Sequence, residues 1–187
     1  MFPILGIMAS SRLVETTAYE SISTVTVGGG GSASISFTSI PGTYTHLQVR
    51  FMARGTATAA GVGLRERLNS DTSASYSSHQ LYGSGASVAA TGGGSQSEME
   101  IGGMTGATAG SNIFGVGVLD ILDYSSTDKY KTLRLLDGRD VNGSGGYIFF
   151  ESGSWQNTNA VTTVQIYPAS GNFEQYSQFA LYGIKGA

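Results

Sequence analysis

The most constraining feature of this chain is a series of short stretches in which polar and apolar residues alternate. Residues 44–54 place Leu47, Val49 and Phe51 on one side and mainly polar residues on the other. A period of two is typical of a β-strand that is buried on one face. Glycine or serine interrupts every stretch with helical spacing before it reaches three turns. The pattern therefore predicts an all-β protein with no helix.

The same pattern predicts about nine or ten strands. They cover residues 19–27, 33–37, 44–54, 62–68, 97–101, 113–124, 130–136, 147–151, 161–167 and 178–184. Residues 69–94 are polar and rich in glycine and serine, which predicts a long loop with a short extended piece at 79–82. The glycine tracts at 28–31 and 92–94 are predicted to be flexible turns.

Many short strands separated by glycine and proline turns are typical of a β-sandwich or barrel. The chain has 187 residues, which suits one jelly roll of two packed antiparallel sheets. An immunoglobulin-type sandwich is the competing interpretation, but that fold has about 100 residues and a cysteine pair, and this chain has no cysteine. We predict a jelly-roll β-sandwich over residues 14–187, preceded by a short N-terminal arm at residues 1–13.

The arm is predicted from the most apolar segment of the sequence. Its apolar residues are Phe2, Ile4, Leu5, Ile7 and Met8. The segment is far shorter than the ~20 residues of a membrane-spanning helix. No positive residue precedes it, as a secretory signal would require, and the first charged residue is Arg12. We therefore expect an attachment arm that docks on a partner, without membrane insertion.

Charge excludes one class of partner. The chain carries 10 Lys and Arg against 13 Asp and Glu, for a net charge of −3. The basic residues are scattered, so no stripe of positive charge could displace counterions from a phosphate backbone. We expect no nucleic-acid partner. The absence of cysteine also excludes thiolate metal sites and cysteine nucleophiles.

Candidate catalytic and metal-binding residues are sparse. His46 and His79 are the only histidines, and neither has a His or Glu at ligand spacing. We interpret His46 as a half-exposed strand residue. Residues 137–143 resemble an oxygen-ligand cation loop, but they lack the later Glu and the flanking helices. The sequence therefore predicts a hairpin turn there, and no catalytic residue, metal or cofactor.

One segment is a candidate for carbohydrate contact. Trp155 is the only tryptophan, and Gln156 and Asn157 follow it directly. Sugars stack on exposed aromatic rings and bond to nearby amides, so these residues could contact a glycan on a host surface. A single tryptophan in a sandwich is otherwise a core residue, and the sequence leaves both interpretations open.

Several segments together resemble a family of tailed-bacteriophage virion structural proteins. They are residues 4–11 (ILGIMASS), 19–22 (YESI), 40–50 (IPGTYTHLQVR), 68–72 (LNSDT), 76–79 (YSSH), 120–124 (DILDY), 170–173 (SGNF) and 179–186 (FALYGIKG). The resemblance covers nearly the whole chain, and its motifs are structural rather than catalytic. It implies location in the virion.

The resemblance also implies a task and partners. It implies a homotrimer that serves as a tail-fibre or appendage component and contacts other virion proteins of the tail, the portal-proximal region or the capsid. Two alternatives stay open. One is a capsid decoration protein that stabilises the head, and the other is a carbohydrate-binding module.

Overall fold

The structure is a computed structural model that describes residues 18–141 and 145–186. This part of the chain contains strands, turns and no helix. The predicted attachment arm at residues 1–13 lies outside the described residues. So do its apolar side chains Phe2, Ile4, Leu5, Ile7 and Met8.

Twelve strands form the described fold. They are β1 (Tyr19–Thr26), β2 (Ile35–Phe37), β3 (His46–Ala53), β4 (Gly61–Leu68), β5 (Tyr76–Gly83), β6 (Val88–Gln96), β7 (Met99–Thr105), β8 (Gly115–Leu122), β9 (Lys131–Arg139), β10 (Tyr147–Trp155), β11 (Val164–Pro168) and β12 (Gln178–Ile184). All pairings between these strands are antiparallel.

The strands form two sheets, and their order is that of a jelly roll. The large sheet has eight strands in the order β1-β12-β3-β8-β9-β10-β5-β6, and the small sheet has four in the order β2-β11-β4-β7. Four nested pairs connect the first half of the fold to the second: β1 with β12, β2 with β11, β3 with β8 and β4 with β7. This is one long antiparallel ribbon rolled into a sandwich, as predicted.

The large sheet contains four strands of this ribbon, β1, β12, β3 and β8, and two hairpins add four more strands to it. The β9–β10 hairpin pairs with β8, and the β5–β6 hairpin pairs with β10. The large sheet therefore extends past the small sheet at the β5–β6 side. This extension creates the broad outer surface described below.

The strand count corrects the prediction for residues 69–94. That segment was expected to be a loop with a short extended piece at 79–82. The extended piece belongs to the longer strand β5, and the glycine tract at 92–94 lies within β6 rather than in a turn. Strand β6 escaped detection because it forms the edge of the large sheet and is largely exposed. Without a buried face, its sequence has no apolar alternation.

The core lies between the two sheets and follows the predicted alternation. In β3, Leu47, Val49 and Phe51 face inward as predicted. Phe51 stacks on Phe179 with ring centroids 5.8 Å apart, and Phe173 meets Phe179 edge-on at 4.8 Å. Burial of such side chains contributes about 1.5–3 kcal/mol each. Within the described part of the chain, no helix is long and apolar enough to cross a bilayer.

Candidate functional site

Three buried carboxyl groups lie between the sheets. Glu66 on β4 is 0% exposed, Glu151 on β10 is 2% exposed and Asp137 on β9 is 4% exposed. Buried carboxyl groups with shifted pKa values are common in active sites. The surroundings of these three groups decide whether they serve chemistry or the fold.

A bulge in β7 explains why two of the carboxyl groups are there. The register between β4 and β7 shifts between Gly63 and Arg65. At this irregularity the backbone N–H of Gly102 donates to Glu151 at 2.9 Å, and the N–H of Gly103 donates to Asp137 at 2.9 Å. The two carboxyl groups therefore satisfy backbone donors that the bulge turns out of the sheet ladder.

Burial sets the protonation of all three groups. Loss of hydration raises the pKa of Glu66 to about 8, of Glu151 to about 8 and of Asp137 to about 7. The charge of Asp137 raises the pKa of Glu151 further. Among the described residues, neither oxygen of Glu66 has a hydrogen-bond partner. A neutral, protonated Glu66 is the form that this environment favours near neutral pH.

The three carboxyl groups are closed off from solvent. They are at most 4% exposed, and the space between the sheets is filled by core side chains. In the described part of the chain, no three His, Cys, Asp or Glu residues are placed to hold a metal ion. We assign Asp137 and Glu151 a structural role, because they accept the backbone N–H groups of the β7 bulge.

The outer surface of the large sheet has an unusual composition. Eight large apolar side chains on it are between 37% and 75% exposed. They are Met52, Leu81, Val88, Val116, Val118, Leu136, Ile148 and Phe150. We call this set the apolar face.

The strand register aligns the apolar face into two adjacent rows. One row runs across β8, β9, β10 and β5 through Val118, Leu136, Phe150 and Leu81. The other runs from β3 to β6. It contains Met52, Val116, Gly138, Ile148, Gly83 and Val88. Directly opposed side chains in such rows are about 5 Å apart, so the apolar surface is continuous across six strands.

A polar row borders the apolar face. Gln48 donates to Asp120 at 2.8 Å and accepts from Arg50 at 2.8 Å. Arg134 pairs with Asp120 at 2.8 Å. The guanidinium group of Arg50 also lies 5.3 Å from the ring centre of Tyr182. These polar groups are paired with one another, so they need no charged ligand to balance them.

The apolar face is not flat. Gly138 has no side chain, and a hollow of about 370 Å³ opens above it between β8, β9 and β10. Val116, Val118, Leu136 and Ile148 line this hollow. Beside it, Phe150 and Leu81 protrude and are 50% and 52% exposed. The surface therefore carries both apolar projections and an apolar recess.

The residues predicted to contact a glycan are placed differently. Trp155 is 1% exposed and stacks on Tyr76 with ring centroids 6.4 Å apart. Its indole N–H donates to Asp71 at 2.7 Å, which satisfies its one polar group inside the core. Trp155 is therefore a core residue and not a surface platform. Gln156 is exposed and Asn157 half-buried beyond the end of β10.

The other residues discussed from the sequence have structural positions. His46 begins β3, and its Nδ1 accepts a 3.0 Å hydrogen bond from the backbone N–H of Asp123. His46 is half-buried, as its interpretation as a strand residue requires. His79 begins the short extended piece predicted at 79–82, which belongs to β5, and its side chain lies on the outer face of that strand. In the predicted hairpin turn at 137–143, Asp137 still belongs to β9 and points into the core.

The sequence contained an unused signal for the apolar face. Leu135 and Leu136 are adjacent, and Ile148, Phe149 and Phe150 form a continuous apolar run. Consecutive apolar residues in a strand place apolar side chains on both faces of the sheet. This pattern is typical of strands that are buried on both faces, whereas the fold buries only the inner face of β9 and β10 here.

Comparisons of the chain with protein-family models, with curated proteins and with solved structures gave no match. The fold and its surfaces are therefore the basis for the functional argument that follows.

Proposed function

We propose that this chain is a bacteriophage virion structural protein. It acts as a trimeric jelly-roll component of a tail fibre or appendage, and residues 1–13 anchor it to the particle. The motifs that resemble the virion family support this proposal. The single observation that carries it is the apolar face, since that surface equips the molecule for permanent association.

The exposure of the apolar face argues for an assembled protein. A continuous apolar surface on a soluble protein often marks a site of association with another molecule. Here Ile148 is 65% exposed and Leu136 is 56% exposed, in the middle of regular strands. In water, such a surface favours association and removal from solvent. A protein that spends its functional life within a larger particle meets this requirement.

The arrangement of polar groups also supports a task of shape and attachment. The three buried carboxyl groups are enclosed between the sheets, and the ion pairs at the border of the apolar face are internal to the chain. The only tryptophan packs in the core. These features favour a building block over the carbohydrate-binding alternative, which relied on an exposed Trp155.

The test uses particles of a phage that encodes this chain. Purified particles are disrupted, heads and tails are separated on a density gradient, and peptides of the chain are quantified by mass spectrometry. We expect the chain to co-purify with tails, in a copy number divisible by three. Recovery with head shells would replace the tail assignment with the decoration alternative. Absence from washed particles would overturn the proposal.

A variant that lacks residues 1–13 tests the anchor. We expect it to keep the circular dichroism spectrum and oligomeric state of the full chain while its incorporation into particles falls at least tenfold. A matched control replaces Phe2, Ile4, Leu5, Ile7 and Met8 with serine, which keeps the length of the arm, and it should lose incorporation equally. Normal incorporation of both variants would overturn the role of the arm.

A further inference from the structure

We propose that the apolar face is the surface through which copies of this chain pack against one another. The inference rests on the proposed function, because it assigns the contact surface of the homotrimer. It commits to one occupant, a second copy of the same chain. Three observations support that choice: the size of the surface, its relief and its charge.

The size of the surface suits a contact between subunits. Eight strands spaced about 4.8 Å apart, each about 27 Å long, give the large sheet an outer face of roughly 900 Å². A stable protein interface buries about 800 Å² on each partner. The two apolar rows cover part of this face, and the polar row of Gln48, Asp120 and Arg134 borders them on one side. An apolar area with a polar border is the usual composition of an interface.

The relief of the surface is complementary to itself. Phe150 and Leu81 project from it, while the hollow of about 370 Å³ over Gly138 is apolar. An aromatic or leucine side chain of a neighbouring copy is apolar and small enough to enter that hollow. Because every copy carries both the projection and the recess, a symmetric assembly uses each of them once per contact.

The charge of the surface argues against anionic occupants. No charged residue belongs to the two apolar rows between β8 and β5. The neighbouring Asp120 and Arg134 neutralise each other at 2.8 Å. A nucleic acid or an anionic lipid surface would require unpaired cations there. A second copy requires none, and a chain with only 12% charged residues has little repulsion to overcome.

The first experiment measures oligomeric state with the full chain. Sedimentation velocity is recorded from 1 to 100 μM for the wild type, for Leu136→Glu and Phe150→Glu on the apolar face, and for Tyr130→Glu as the control. Tyr130 is 56% exposed but lies outside the strands. We expect trimers for the wild type and the control. For the two face variants, we expect the dissociation constant to rise at least 100-fold.

A monomeric wild type at 100 μM, or face variants that stay trimeric, would overturn the inference. Because a charged substitution could also disturb folding, a second measurement is independent of it. The chain has no cysteine, so Ile148→Cys introduces a unique thiol on the apolar face. We expect a short bismaleimide to cross-link Ile148→Cys chains into dimers and to leave Tyr130→Cys chains uncross-linked.

One variant separates a second copy from the arm as the occupant. If residues 1–17 cover the apolar face, the Ile148→Cys thiol of the full chain is protected and becomes cross-linkable only after their deletion. That outcome would overturn the inference. The inference also fails separately from the proposed function. A trimer that the face variants leave intact, in a chain found in particles, contradicts only the inference, whereas a trimer that assembles through the apolar face but is absent from particles contradicts only the proposed function.

Discussion

Two acidic side chains illustrate how the environment sets opposite properties for the same chemical group. Asp71 accepts hydrogen bonds from the backbone N–H and hydroxyl of Ser73, the hydroxyl of Ser75 and the indole of Trp155. These donors hold the pKa of Asp71 well below its usual value, with Ser73 as the largest contributor. Glu66 has no such donors among the described residues, and burial raises its pKa to about 8.

The raised pKa of Glu66 predicts that stability depends on pH. The folded state holds a proton between pH 4.5 and about 8, where the unfolded chain has released it. The free energy of unfolding therefore falls as pH rises through this window, by up to about 1.4 kcal/mol per pH unit for each such group. We expect Glu66→Gln to remove one group's share of the slope, as measured by urea unfolding between pH 5 and 8.

The control for this prediction is Asp128→Asn, which alters an exposed carboxyl group in a turn. It should leave the slope of stability against pH unchanged. Asp137 and Glu151 should retain part of the slope in Glu66→Gln, because burial raises their pKa values too. An identical slope in the wild type and in Glu66→Gln would contradict the assignment of Glu66 as a neutral acid in the folded state.

Among the elements, β7 depends on one glycine, Gly102, for the conformation of its bulge. Gly102 has a φ of +63°, a conformation that favours glycine. A Cβ atom at this position would lie 2.1 Å from Oδ1 of Asp137. The bulge that directs two backbone N–H groups toward the large sheet therefore requires glycine for both its backbone conformation and its close packing.

We expect Gly102→Ala to lower the free energy of unfolding by about 2–4 kcal/mol, from backbone strain and steric overlap together. Urea unfolding monitored by fluorescence of Trp155 measures this change. Gly94→Ala is the matched control, since Gly94 lies in β6 and a Cβ atom there would meet nothing within 4 Å. The control should change stability by less than about 0.5 kcal/mol. Equal effects in both variants would contradict the role of the bulge.

The elements also show how far sequence reasoning could reach. Strands such as β3 and β12 were predicted because one face of each is buried, and such strands alternate apolar and polar residues along the sequence. Only residues 79–82 of β5 were predicted to be extended, and β6 was missed because it forms an exposed edge of the large sheet and has no apolar alternation. The β7 bulge was also invisible, since a single glycine does not reveal the sign of φ.

The candidate site was less predictable than the fold. Leu136 and Ile148 stand in the sequence beside inward-facing residues, but only the register of β9 and β10 aligns them into a row. Register depends on pairing between distant segments and cannot be read from local pattern. From the sequence alone, Trp155 could lie in the core or on the surface. In the structure it lies opposite Tyr76 and belongs to the core.

At the scale of the whole molecule, the nested pairing brings the two ends of the described fold together. Tyr19 in β1 is opposite Ile184 in β12, and the N–H of Lys185 donates to the carbonyl of Ala18 at 3.0 Å. Ends that lie side by side allow a chain to be re-connected without distorting the fold. This closeness gives a prediction about topology.

We expect a circular permutant that joins Ala187 to Met1 and opens the chain between Gly85 and Ala86 to fold normally. The new ends lie at the turn between β5 and β6, on the exposed edge of the large sheet. Its melting temperature by circular dichroism should stay within about 8 °C of the wild type, equivalent to a loss of about 2 kcal/mol. A permutant opened between Leu119 and Asp120, inside the central strand β8, is the control and should not fold.

The same nesting determines when each strand can pair during synthesis of the chain. Among the described strands, β1 is synthesised first, and its partner β12 is synthesised last. Each of the first four strands waits for a partner translated later, and β1 waits longest. In a nascent chain β1 therefore has no partner until residue 184 has emerged, and unpaired strand edges of this kind make a chain prone to aggregation while it folds.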